Sequence, residues 1–254
     1  MNFFKALLLL TSLLSFGCSA QEGTSTVTIV TPSINQEATS IWRTINDIKF
    51  LESQGYRIHL PVHPLMDSLI LKSKKGEFGN EDFQLIYALL ESEIYQEETY
   101  NQAYQKVEAQ LGLIHEMLAQ INSEKDEWDW SFKLFDSYQV VFTLYGTGGS
   151  YDPDEGIITI LTNKEGSFTK YKNPAYTIIH EISHMGMEYS IVQKYKLAHG
   201  IKERLVDTFV YLMFNKQLPD YQIQNMGDNK LDMYLKTKDD IKELDAIISG
   251  FAQD

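Results

Sequence analysis

The chain has 254 residues, 43% of them hydrophobic and 12% aromatic, which suits one sizeable core or two small ones and excludes a chain too polar to fold. Its formal charge of −13 argues against a nucleic-acid partner and against charge-driven binding to anionic membranes, because phosphate recognition needs a basic surface. Cys18 is the single cysteine, so no disulfide forms within the chain.

Residues 1–20 read as an export signal. Lys5 is the positive start, and Ala6 to Phe16 is a Leu-rich run of about 11 residues, short for a bilayer span and suited to a signal peptide. Two processing routes are open. Ser15-Phe16-Gly17-Cys18, with Leu14 ahead of it, resembles a bacterial lipobox in which Phe16 fits imperfectly; cleavage there leaves Cys18 as a lipidated N-terminus. Cys18-Ser19-Ala20 also resembles a small-x-small site, with cleavage after Ala20. The lipoprotein is preferred, because the one cysteine falls where an anchor needs it. Both routes carry the chain across the inner membrane.

After a polar tether from Ser19 to Thr26, Val27 to Val30 reads as a short strand, broken by Pro32 to Asn35. Ile41, Ile45, Ile48 and Leu51 mark a helix ending at Gly55. Tyr56 to Leu60 reads as another strand, and Pro61 and Pro64 punctuate the next stretch. His59 and His63 have the i, i+4 spacing of a metal pair, but Pro61 between them opposes a helix, so they are loop residues. Asn80 caps a helix carrying Phe83, Ile86, Leu90 and Ile94. A longer helix with Tyr104, Val107, Leu111, Ile114, Leu118 and Ile121 completes a hairpin, and His115 within it is structural. Ser123 to Asp129 is a loop, with Trp128 and Trp130 folding onto the core. Tyr138 to Tyr145 and Ile157 to Leu161 are strands. Gly146-Thr147-Gly148-Gly149-Ser150 between them is a turn that lacks the lysine and helix of a phosphate loop.

Asn173-Pro174 starts a helix running to about Gln193, with Ala175, Ile178, Ile182, Met185 and Tyr189 as its buried stripe. On it, His180-Glu181-Ile182-Ser183-His184 reads H-E-x-x-H. Two imidazoles at i and i+4 share a helix face and can chelate one divalent ion, with the neighbouring Glu181 in reach of a water at that ion. Zn2+, one per chain, suits such donors. A third protein ligand is needed. Glu188 lies about 12 Å from His180 along the same helix, too far to share the ion. Glu203 fits: it sits on a second helix, with Leu205, Phe209, Leu212 and Met213 as the apolar side and a turn near His199-Gly200 folding it back. Asp207, one turn on, accepts the spare N–H of a ligand histidine. Thr237 to Asp240 caps a last helix with Ile241, Leu244, Ile248 and Phe251 as its stripe.

H-E-x-x-H followed after 18 residues by Glu203-Arg204-Leu205-Val206-Asp207 resembles the gluzincins, the group that includes the thermolysin-like peptidases. The resemblance spans about Tyr138 to Met213. It implies His180, His184 and Glu203 as metal ligands, Glu181 as general base and Asp207 as their support. It further implies a substrate edge at Ile157 to Leu161 or in the loop before it. Two features of the group are missing. No G-x-M-E-N strand precedes His180, and no histidine follows Glu203, which leaves Tyr211, Tyr221 and Tyr234 as unranked donors for an oxyanion.

The expected fold is α+β, mainly helical, with a small sheet against a gluzincin-like zinc-helix pair. The expected organisation is a signal at 1–20, a mostly helical region at 27–125 and a metallopeptidase-like region at 126–254. The expected activity is hydrolysis of peptide or protein substrates outside the inner membrane, on a lipid-anchored or otherwise periplasmic or secreted chain whose only membrane contact is a lipid on Cys18. The alternative is a non-catalytic binding lipoprotein on the same scaffold.

Overall fold

The structure, a computed structural model, describes residues 25–169, 171–224, 227 and 229–251. The expected export signal, with Cys18, lies outside the described residues.

Strand β1 (Thr26–Val30) opens the chain. Ser33 stops it and starts α1 (Ile34–Asn46): its hydroxyl accepts from the Gln36 amide, and the Gln36 side chain accepts from the Ser33 amide. The helix expected to run on to Gly55 breaks at Asp47, and α2 (Ile48–Ser53) comes next. The strand expected at Tyr56 to Leu60 reduces to one bridge between His59 and Gly146. Pro64 does more than punctuate. It fills the first turn of α3 (Pro64–Lys75), a helix not expected from the sequence, and His63 Nδ1 caps it by accepting from the Leu65 amide at 3.1 Å. A 3-10 turn, Asn80–Asp82, leads into α4 (Phe83–Leu89), so Asn80 opens that turn instead of capping the α-helix. The long helix expected from Tyr104 to Ile121 is two, α5 (Asn101–Glu108) and α6 (Leu111–Glu124). The chain bends between them at Ala109-Gln110, and each piece keeps its own buried face. The helix also runs into the stretch expected to be a loop from Ser123.

Strands β2 (Ser137–Thr143), β3 (Ser150–Asp152) and β4 (Ile157–Leu161) complete a four-stranded sheet of order β1-β2-β4-β3. β1, β2 and β4 run parallel, and β3 pairs antiparallel to β4 on the edge. Three helices complete the chain: α7 (Pro174–Met187), α8 (His199–Phe214) and α9 (Leu244–Phe251). Among the described residues these make nine α-helices and one mixed sheet, an α+β fold that is mainly helical.

Two apolar clusters hold it together. The larger takes residues from the sheet and from α5 to α9; the smaller joins α1, α3 and α4. Glu37 is fully buried at the seam between them. Its carboxylate accepts from Tyr100 Oη, from Thr143 Oγ1 at 2.5 Å and from the Leu144 amide at 2.9 Å. Burial, only partly offset by these donors, raises its pKa above the usual carboxylate value.

α7 lies at the centre of the larger cluster. Asn173 accepts from the Ala175 amide and Pro174 takes the first helical position. Every residue of the helix except Thr177 is buried. Tyr189, expected in its buried stripe, is exposed, because the chain widens into a π turn at Glu188–Gln193. Behind α7, Phe132 stacks on Phe209 of α8 with ring centroids 5.7 Å apart, beside Trp128 and Trp130. Trp130 Nε1 donates to the Ile241 carbonyl at 2.7 Å, and Asp129 accepts from the Asp245 and Ala246 amides, which ties α9 beneath the helix pair. A Cβ on Gly186 would fall 2.1 to 2.4 Å from three Phe132 ring carbons. Gly186→Ala is therefore expected to lower stability by about 1–3 kcal/mol, read as a drop in the urea midpoint. An unchanged midpoint would mean that Phe132 is not wedged against α7.

Candidate metal centre

The turn that folds α8 back on α7 is at Lys196, which takes a left-handed φ of 51°, and not at His199-Gly200, which begin α8 itself. The fold-back brings three donors together. His180 Nε2 and His184 Nε2 are 3.0 Å apart, and the Glu203 carboxylate lies 3.6 Å from the first and 3.4 Å from the second. Tetrahedral coordination at about 2.0–2.1 Å from each donor sets the donors about 3.3–3.4 Å from one another. The triangle fits that requirement, and the group His180, His184 and Glu203 could hold a metal ion.

The two imidazoles are steered by different means. Asp207, fully buried one turn below Glu203, has Oδ1 at 3.2 Å from His180 Nδ1. Tyr221 closes a triangle with them: its hydroxyl is 2.8 Å from His180 Nδ1 and donates to Asp207 Oδ1 at 2.6 Å. The Gln224 amide bonds the other Asp207 oxygen at 2.7 Å. Such a network holds His180 Nδ1 as an N–H donor and leaves Nε2 facing the position it shares with His184 and Glu203. Asp207 thus lies beside His180 Nδ1, and Tyr221, offered above as an oxyanion donor, stands behind the imidazole. His184 is oriented by stacking. The Tyr151 ring lies parallel to it at 5.1 Å, fixed in turn by a hydrogen bond from its hydroxyl to Glu188 at 2.8 Å. Glu188, set aside above as a ligand, holds that tyrosine.

Glu181 and the donors His180 and Glu203 line one cleft of about 420 Å³. Its far wall is Phe50, Leu51 and Tyr56, and its rim is Thr147 to Ser150. The glycine turn packs directly on the candidate base: a Cβ on Gly149 would lie 2.2 Å from Glu181 Oε1. His199, which in the sequence stands out only as a turn residue, also lines the cleft. Its Nε2 pairs with the Tyr56 hydroxyl at 2.9 Å, and its Nδ1 is 3.8 Å from Glu203 Oε1. Tyr211 and Tyr234 are exposed and line no part of the cleft. Ile157 to Leu161 is not the sheet edge, because β3 covers its first three residues. On that side of the sheet the edge strand is β3.

Electrostatically the three donors behave as one unit. Burial opposes a charge on His180, but Asp207 and Glu203 outweigh it and hold the pKa up to about 9. Burial, reinforced by the charge on His180, pushes His184 down to about 4. Glu203, though partly buried, is held far below the usual carboxylate range by the two histidines. Near neutral pH the metal-free cluster therefore holds one proton beyond those of the neutral imidazoles, on His180. A metal ligand must be deprotonated, so uptake of a divalent ion releases that proton, and affinity rises with pH until about 9. Calorimetry in buffers of different ionisation enthalpy is expected to show about one proton released per ion near pH 7. No release there would contradict the proton's placement.

No protein-family model, curated protein or solved structure matches the chain.

Proposed function

We propose that the chain is an exported zinc-dependent metallopeptidase with a thermolysin-like site. The observation that carries this reading is that Glu181 shares the cleft with the donor cluster, immediately beside His180 in the chain. A purely structural ion has no use for a carboxylate in that position. The donor set supports zinc: two neutral imidazole nitrogens and one carboxylate are ordinary catalytic-zinc ligands that leave a further position open.

His180, His184 and Glu203 would hold the ion. When bound, it supplies Lewis acidity that polarises a scissile carbonyl and acidifies a water. Glu181 takes the proton from the attacking water as the new C–O bond forms. It then passes that proton to the amine nitrogen as the C–N bond breaks. Gly149, pressed against the Glu181 carboxylate, limits its swing. Asp207 and Tyr221 keep Nε2 of His180 aimed at the ligand position, and Tyr151 does the same for the ring of His184. His199, braced by Tyr56, offers a donor on the cleft wall for charge developing on the carbonyl oxygen. The glycine turn and β3 form the sheet edge along which an extended peptide lies, by backbone hydrogen bonds. The export signal and Cys18 support action in the cell envelope on a lipid-anchored chain.

Glu181→Gln keeps the shape of the base and removes its proton affinity. Peptide hydrolysis is expected to fall by about 10²–10⁴-fold while the metal content stays that of the wild type. Cleavage by the variant at the wild-type rate would refute the mechanism.

A further inference from the structure

The cleft does not end at the donor cluster. It continues past Leu51 and the glycine turn into a second groove of about 280 Å³, between α1 and strands β2 and β4. Arg43, in the last turn of α1, lines both. Among the described residues it is the only Lys or Arg lining either groove, in a chain of net charge −13. Its guanidinium makes no hydrogen bond or ion pair with any of them, although Asp47, at i+4, lines the second groove. The other cations near the site are engaged. Arg204 pairs with Asp232 and the Gln224 carbonyl, and Lys202 reaches Tyr151 at 3.3 Å and Glu203 at 4.0 Å. The helix dipole favours a cation at the end of α1. It does not account for an unpaired fork at the junction of two grooves.

Taking the cleft as a peptide site, as proposed above, we propose that Arg43 anchors a carboxylate of the bound peptide, either an acidic side chain or the C-terminal carboxylate. A guanidinium presents paired N–H donors that match a carboxylate's two oxygens, and an exposed arginine with no internal partner keeps them available for a ligand. The anchor sets the register of an extended chain: a carboxylate held at Arg43 fixes which peptide bond passes Glu181. Glu181 and Glu203, which line the same cleft, repel a carboxylate placed beside them, which sharpens the choice.

The test uses the full chain carrying Glu181→Gln and loaded with zinc, so that peptides bind without turnover. The probes are short Ala/Leu peptides with one Glu moved along the sequence, their Gln and Lys counterparts, and each of these with a free or an amidated C-terminus. The expected result is that Arg43→Ala weakens the carboxylate peptides by about tenfold or more and their neutral counterparts far less. Arg43→Lys recovers part of the loss, and Arg43→Glu turns the preference toward Lys-containing peptides. A penalty for Gln identifies the side chain as the ligand, and a penalty for amidation identifies the C-terminus. Equal binding of charged and neutral peptides, an unchanged preference in Arg43→Ala, or no binding of any peptide would each overturn the anchor. Carboxylate-dependent binding beside a wild-type chain that cleaves none of these peptides would leave the anchor standing and sink the hydrolytic reading.

Discussion

Everything at the candidate centre depends on how α8 lies against α7. The contact places the Glu203 carboxylate within 3.6 Å of two imidazoles that are themselves nearly buried. Polar groups withdrawn from water are costly unless each finds a partner, so such a cluster persists only where its geometry is enforced from outside. Here the enforcement comes from both ends. Asp207 and Tyr221 hold one imidazole from below, while Tyr151 stacks on the other. Phe132, wedged between Gly186 and Phe209, sets how closely the two helices approach. The aromatic layer and α9 on the far side matter to the chemistry for that reason, although none of them touches the cleft.

The opposite wall has a separate origin. α1 belongs to the smaller apolar cluster, which meets the sheet at the buried Glu37, and α2 packs on α3 of that cluster. Three donors from residues more than sixty positions away converge on that carboxylate. It fixes α1 over the carboxyl end of β2, and with α1 it fixes Arg43, which lines the cleft together with Phe50 and Leu51 of α2 and the glycine turn. The same turn contributes Gly149 to the candidate base. A peptide lying along this wall would thus touch a surface positioned by one core while its scissile bond faced groups positioned by the other.

Much of the centre could be read from the sequence because it obeys helix periodicity. The Asn173-Pro174 cap, the pair His180 and His184, and the pair Glu203 and Asp207 are all local patterns. The α+β class came from alternating strands and apolar helix stripes in the same way. Contacts between segments carry no such signal. Tyr221 is one of fifteen tyrosines, and nothing in its neighbours tells that its hydroxyl sits beneath His180. His199 resembled a turn residue because the true turn, at Lys196, uses a left-handed lysine where glycine or asparagine is usual. The break between α5 and α6 was hidden by an unbroken apolar rhythm with no proline at the bend. α3 was hidden by prolines that serve as its start. The loop glycines read as a plain turn, whereas Gly149 is needed for the close approach of Glu181.

The most direct test of the account is the metal content of the purified chain measured beside a Glu203→Ala variant. One tightly held zinc per wild-type chain, with affinity weakened in the variant, is the predicted result. A wild-type chain that takes up no zinc after reconstitution at neutral pH, or a variant that holds it as tightly as the wild type, would contradict the three-donor centre.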